Sequence, residues 1–185
     1  MIDYTSYLRQ IIADVAIICP ELSHIKTESL IVTFSRARSP GKGGLLAFLA
    51  PLRFEGGVTV TSIRGKLYQI PTIVVNGQTK LYYIGFVVPR FLDLPLEEKV
   101  KTIVHELYHV SEAFDGDIRR FPGRNFAHSS RKSTFDSISE KIAKDWLSKT
   151  SIDTGVLSQT SEELKRNFGK VAGVRVSKPK IVRLS

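Results

Sequence analysis

The sequence predicts an α+β fold: an N-terminal helix, an antiparallel meander sheet, a helix bearing a His-Glu-x-x-His motif and a second, C-terminal helix. Three observations predict it. Apolar residues recur at helical spacing near the start of the chain and in two stretches beyond residue 95. Between these stretches lie short β-branched and aromatic runs separated by turn residues. The chain, 185 residues long with 42% hydrophobic and 24% charged residues, has the length and composition of one globular domain with a core of its own.

Residues 3–18 place apolar side chains at 4, 7, 8, 11, 12, 15 and 18, a helical stripe that Cys19-Pro20 ends. "SLIVTFS" (29–35) reads as a strand and "RARSPGKGG" (36–44) as a basic loop. "LLAFLA" (45–50) is an apolar run too short for periodicity to separate helix from strand. "VTVTSI" (58–63) alternates as a strand does. "KLYQIPTIVV" (66–75) and "KLYYIGFVV" (80–88) are two more strands, joined through the hairpin signal Asn76-Gly77. Together these runs predict a meander of four strands.

"DLPLEEKVKTIVHELYHVSEAF" then starts as a helix, with Pro95 near its first turn and Glu97 and Glu98 just inside it. Residues 115–130 read as a loop rich in Gly, Asp and Arg. A second amphipathic helix spans 134–148, with Phe135, Ile138, Ile142 and Trp146 on one face. Residues 1–150 are accordingly read as one domain. Residues 151–185 are read as a basic C-terminal extension, with a short helix near 161–168 and an extended end.

The net charge of +9 is unevenly distributed. Residues 1–118 hold 12 basic and 12 acidic side chains, whereas 119–185 hold 15 and 6. A basic third on a neutral body points to an anionic partner, with nucleic acid first in line, although ordinary solvated surface charge accounts for it as well. The single cysteine, Cys19, allows no internal disulfide and fits a reducing cytoplasm; beside Pro20 it reads as packed rather than reactive. No apolar run is long enough for a membrane span, and the N-terminal stretch, flanked by Asp3 and Asp14 with no basic residues before it, is not a signal peptide.

The chemistry concentrates in "TIVHELYHVSEAFDGDIRRFPGRNFAHSS" (102–130), which contains three of the four histidines. On a helix at about 100° per residue, Leu96, Val100, Ile103, Leu107, Val110 and Phe114 form one apolar stripe. His105 and His109 fall on the opposite side, so they are not core histidines; the choice is between a solvated face and a site. Residues four apart stand about one turn from each other, and two imidazoles projecting from there can converge on one zinc ion. Glu106, rotated by about 100° from His105, borders such a site as a general base for metal-activated water.

A catalytic zinc needs a third protein ligand and an open position. His128, separated from His109 by eighteen residues and just ahead of the second helix, is the favoured one. His24 reads as a surface or packing residue. Glu112 is the main rival, but about 10 Å along the helix axis from His105 is long for one ion, and a role holding a ligand imidazole suits it better. Asp115 and Asp117 are weaker rivals.

"KVKTIVHELYHVSEAFDGDIRRFPGRNFAHSS", with "PLRFEGG" (51–57) and "VVPRFLDL" (87–94) upstream, resembles the phage-type metallopeptidases over roughly residues 25–150. More distantly the chain is similar to the SprT-like zinc proteases, in which a histidine ahead of a further helix follows the His-Glu-x-x-His helix. Ser129 stands where those proteins usually have glycine, and one cysteine cannot build the four-cysteine zinc ribbon that many of them carry. The resemblance implies a zincin-like domain with His105, His109 and His128 as Zn2+ ligands and Glu106 as base. It does not supply a substrate.

The function this predicts is a zinc-dependent endopeptidase acting on a protein or peptide. Tyr108, Arg119 and Arg120 are candidates for oxyanion stabilisation. Arg124, Arg131 and Lys132, around His128, are candidates for DNA contacts that would bring nucleic-acid-associated proteins to the metal. The competing expectation is a nucleic-acid- or protein-binding module with a closed, structural zinc site.

Overall fold

The computed structural model of the chain describes residues 1–36, 44–121 and 132–184, with the backbone alone at 132–134. A two-residue strand, β1 (Ile2–Asp3), leads into α1 (Tyr4–Ile18). The Asp3 carboxylate starts that helix by accepting the Ser6 N–H at 3.1 Å, one of the donors a helix N-terminus leaves unpaired. Tyr4, Leu8, Ile11, Ile12 and Val15, all from the predicted stripe, are fully buried. Cys19 is buried behind them, and burial pushes its thiol up to about 11, so it is packed and unreactive.

The strands that follow are β2 (Leu30–Arg36), β3 (Ala47–Pro51), β4 (Val60–Ile63), β5 (Lys66–Gln69), β6 (Ile73–Val75), β7 (Gln78–Lys80) and β8 (Tyr82–Val88). They do not form one antiparallel meander. β2 runs parallel to β8, and β3 lies antiparallel on the other side of β8, giving the order β2-β8-β3. The ambiguous "LLAFLA" run thus supplies an edge strand. β4–β5 and β6–β7 are separate hairpins. Pro71 lies where the predicted 66–75 strand divides into β5 and β6; it has no N–H to give a ladder. Asn76-Gly77 turns the second hairpin with both residues at positive φ, 51° and 75°, as its turn type requires.

Helix α2 (Leu96–Tyr108) starts after Pro95 and ends before its apolar periodicity does. Val110 and Phe114 are buried, but beyond the helix: Val110 bridges to Ile118, and the Ser111 N–H donates to the Asp117 carbonyl at 3.2 Å. The second predicted helix is α3 (Lys132–Lys149), with Phe135, Ile142 and Trp146 buried. After it come α4 (Gly155–Ser158), α5 (Ser161–Phe168), β9 (Val171–Ala172) and β10 (Val182–Arg183).

Residues 151–184, read from sequence as an extension, are packed into the body. Leu157 and Leu164 are fully buried, and the buried Lys99 ammonium donates to the Leu157 and Gln159 carbonyls at 2.7 and 2.6 Å. β9 pairs with β1 and β10 with β5, while the Phe34 N–H donates to the Val174 carbonyl at 2.8 Å along the outer edge of β2. The main core joins α1, α2 and α3 to one face of the β2-β8-β3 sheet, at Leu30, Val32, Tyr82, Ile84 and Phe86. Ile31, Ala50, Leu52, Ile70 and Tyr83 form a smaller cluster on the opposite face. No helix among the described residues is long and apolar enough to cross a membrane.

Candidate metal centre

His105 lies in the last turn of α2 and His109 caps its C-terminus, still in the right-handed helical conformation. Their spacing therefore brings the rings together as it would inside a helix. The two Nε2 atoms are 3.3 Å apart and the rings stand nearly perpendicular, at 79°. Two nitrogens each ~2.0–2.1 Å from a tetrahedral ion lie ~3.3–3.4 Å from one another, so the pair is spaced as two ligands of one zinc. A hydrogen bond between the rings would span a similar distance. The far nitrogen of His105 has a carboxylate near it: its Nδ1 stands 3.5 Å from Oδ1 of Asp136 on α3. A proton held there leaves Nε2 as a bare lone pair, the form in which histidine binds a metal.

Helix α3 also supplies Phe135, fully buried, whose ring packs on His105 at 4.8 Å, on His109 at 4.6 Å and on Tyr108 at 5.0 Å. The histidine face of α2 is consequently half-buried beneath a second helix rather than open to solvent.

Glu106 is buried, 8% exposed, and burial raises its carboxyl to about 7. The Leu49 N–H, from β3, lies near enough to oppose that rise. Strand alternation explains the contact. Val87 donates to Leu46 and Leu52 donates to Leu81, so the even-numbered residues of β3 bond to β8 and the peptide groups of Ala47 and Leu49 face outward. A buried carboxyl that titrates near neutrality, beside a backbone N–H, is equipped to take and return a proton.

The other predicted residues are placed differently. His128, Arg124 and Arg131 lie outside the described residues, and so does the Lys132 side chain. Among the described residues, no group of three or more His, Cys, Asp or Glu side chains is placed to hold a metal ion. The Glu112 carboxylate, 76% exposed, pairs with Arg119 Nη1 at 2.6 Å rather than with an imidazole. The Arg119 guanidinium lies over the Tyr108 ring at 4.2 Å, and that ring packs on Phe135, so this cation braces the end of α2. Arg120 clasps Asp117 at 2.8 and 3.0 Å and reaches Glu55 at 3.5 Å. Asp115 accepts the Asp117 N–H at 3.1 Å, so both aspartates shape the loop after the helix. His24 is half-buried against the Val110 carbonyl, and burial together with Arg119 holds its imidazole below the usual range, as suits a packing residue.

Asp136, Phe135 as a wall of the site, and the Leu49 N–H were not foreseen as parts of it. Phe135 was read only as core. Asp136 looks in sequence like any helix acid, and Leu49 lies in the one run whose type was undecided. No family model, curated protein or solved structure matches the chain.

Proposed function

We propose that the chain is a zinc-dependent peptidase of zincin-like build, in which His105 and His109 bind the metal and Glu106 is the general base. The observation that carries this is the 3.3 Å approach of the two Nε2 atoms beside a buried carboxyl that titrates near 7. The donor set suits zinc: two imidazoles, one with a carboxylate 3.5 Å from its far nitrogen. His128 is the proposed third ligand. Zinc, when bound, supplies Lewis-acid chemistry, acidifying water and polarising a carbonyl.

The chain's own residues do the rest. Asp136 holds the proton on His105 Nδ1, and Phe135 fixes both rings and screens them from solvent. Glu106 accepts a proton as the nucleophile forms and passes it to the leaving amine. An extended peptide adds to the outer edge of β3, where backbone groups face away from β8 and toward Glu106.

Zinc-loaded wild type is to be compared with Glu106→Gln on an unfolded protein and on the chain itself, each with and without single-stranded DNA. Cleavage by wild type alone, with zinc bound equally by both, supports the enzyme. Zinc bound by both and cleavage by neither supports the binding module with a structural metal.

A further inference from the structure

We propose that the sheet face turned away from the helices carries a groove for single-stranded nucleic acid. This proposal does not rest on the zinc reading. A cavity of about 780 Å³ opens there, bounded by the ends of β2 and β8, the start of β3 and the chain around Val176. Its described lining holds three cations, Arg36, Arg90 and Lys178, and no carboxylate. Arg36 and Lys178 are exposed. Backbone phosphates are the natural counterpart of such a rim.

The floor argues for bases rather than for phosphate alone. Phe48 lies nearly parallel to Tyr83, with 5.8 Å between ring centroids and 27° between planes, and Tyr83 is fixed in turn by its hydroxyl donating to the Val176 carbonyl at 2.7 Å. Gly85 allows that pose, since a Cβ there would meet the Phe48 ring at 2.6 Å. A flat, partly exposed aromatic ring held beneath a cationic rim combines the two parts of a single-strand site, stacking and charge. An acidic peptide would satisfy the cations and leave the ring without a purpose.

The test is fluorescence anisotropy of a labelled oligothymidylate twelve-mer across a salt series. It compares wild type with Arg36→Glu/Lys178→Glu and with Lys165→Glu/Arg166→Glu, the same charge change on exposed residues of α5. The groove reversal is expected to weaken binding at least tenfold and to lower the salt slope by about 1.4, two phosphates at ~0.7 each. The α5 reversal is expected to leave both nearly unchanged, and ultraviolet cross-links should map to the peptide containing Phe48. Absence of wild-type binding, equal losses in the two reversals, or an abasic twelve-mer binding as tightly as the oligothymidylate would each overturn the proposal.

Discussion

At the residue scale the side chain to test is Asp136, whose carboxylate oxygen stands 3.5 Å from Nδ1 of His105. Replacing it with asparagine keeps the shape and removes the charge that favours the Nδ1 proton. Asp136→Asn is expected to weaken zinc binding by about 10–100-fold, read by chelator competition, with the circular dichroism spectrum unchanged. An unchanged affinity would show the carboxylate to be idle. Glu106 offers a second test, in chelator-treated protein. Its carboxyl titrates near 7 when folded against an ordinary value of 4.5. Between those values the folded chain holds a proton that the unfolded chain has released. Metal-free stability from this group is therefore greatest at low pH and falls as pH rises through about 7, by up to roughly 3 kcal/mol. Glu106→Gln should flatten that fall, measured as urea midpoints at pH 5 and pH 8; identical pH dependence in the two proteins would rule out a buried acid form. The histidine pair was legible in sequence because helical spacing is local. Asp136 was not, because its contact exists only once α3 has packed on α2.

At the scale of elements the same division holds. Asn76-Gly77 announced its hairpin, since a two-residue turn is written in two residues. The parallel pairing of β2 with β8 joins segments some fifty residues apart, and no local signal states it; the continuous burial of β2 from Leu30 to Phe34 is the trace it leaves. The end of α2 was misread because Val110 and Phe114 prolong its apolar pattern while serving a turn. Helix α2 is tied at its other end by Lys99, buried among apolar neighbours with its ammonium on the Leu157 and Gln159 carbonyls. Lys99→Met keeps the length of the stem and leaves both carbonyls without that donor. It is expected to lower stability by about 1–3 kcal/mol in urea unfolding, more than Lys101→Met, whose ammonium reaches only the partly exposed Glu140 at 3.7 Å. Equal effects would mean that water replaces the ammonium without cost.

At the scale of the whole molecule, the basic C-terminal segment completes the structure as well as charging it. The chain around Val174 and Val176 covers the outer edge of β2, through the Phe34 N–H and the Thr33 hydroxyl. Leu157 and Leu164 close the core beneath α2, and β9 anchors the N-terminus through β1. An exposed strand edge and two emptied core positions together cost more than a domain of this size can absorb, since total stability is typically about 5–15 kcal/mol. A chain ending at Thr150 is therefore expected to lose its cooperative urea transition and the near-ultraviolet dichroism of Trp146, and to bind zinc more weakly than the full chain. Adding residues 151–185 back as a separate peptide should restore part of the dichroism if the deficit is one of packing. A truncated chain with an unaltered transition would instead make the segment a dispensable appendage. The groove beside β2 would then lose the whole wall formed by residues 176–178, and oligothymidylate binding by the shortened protein would measure the share of that wall together with the other cations of the segment.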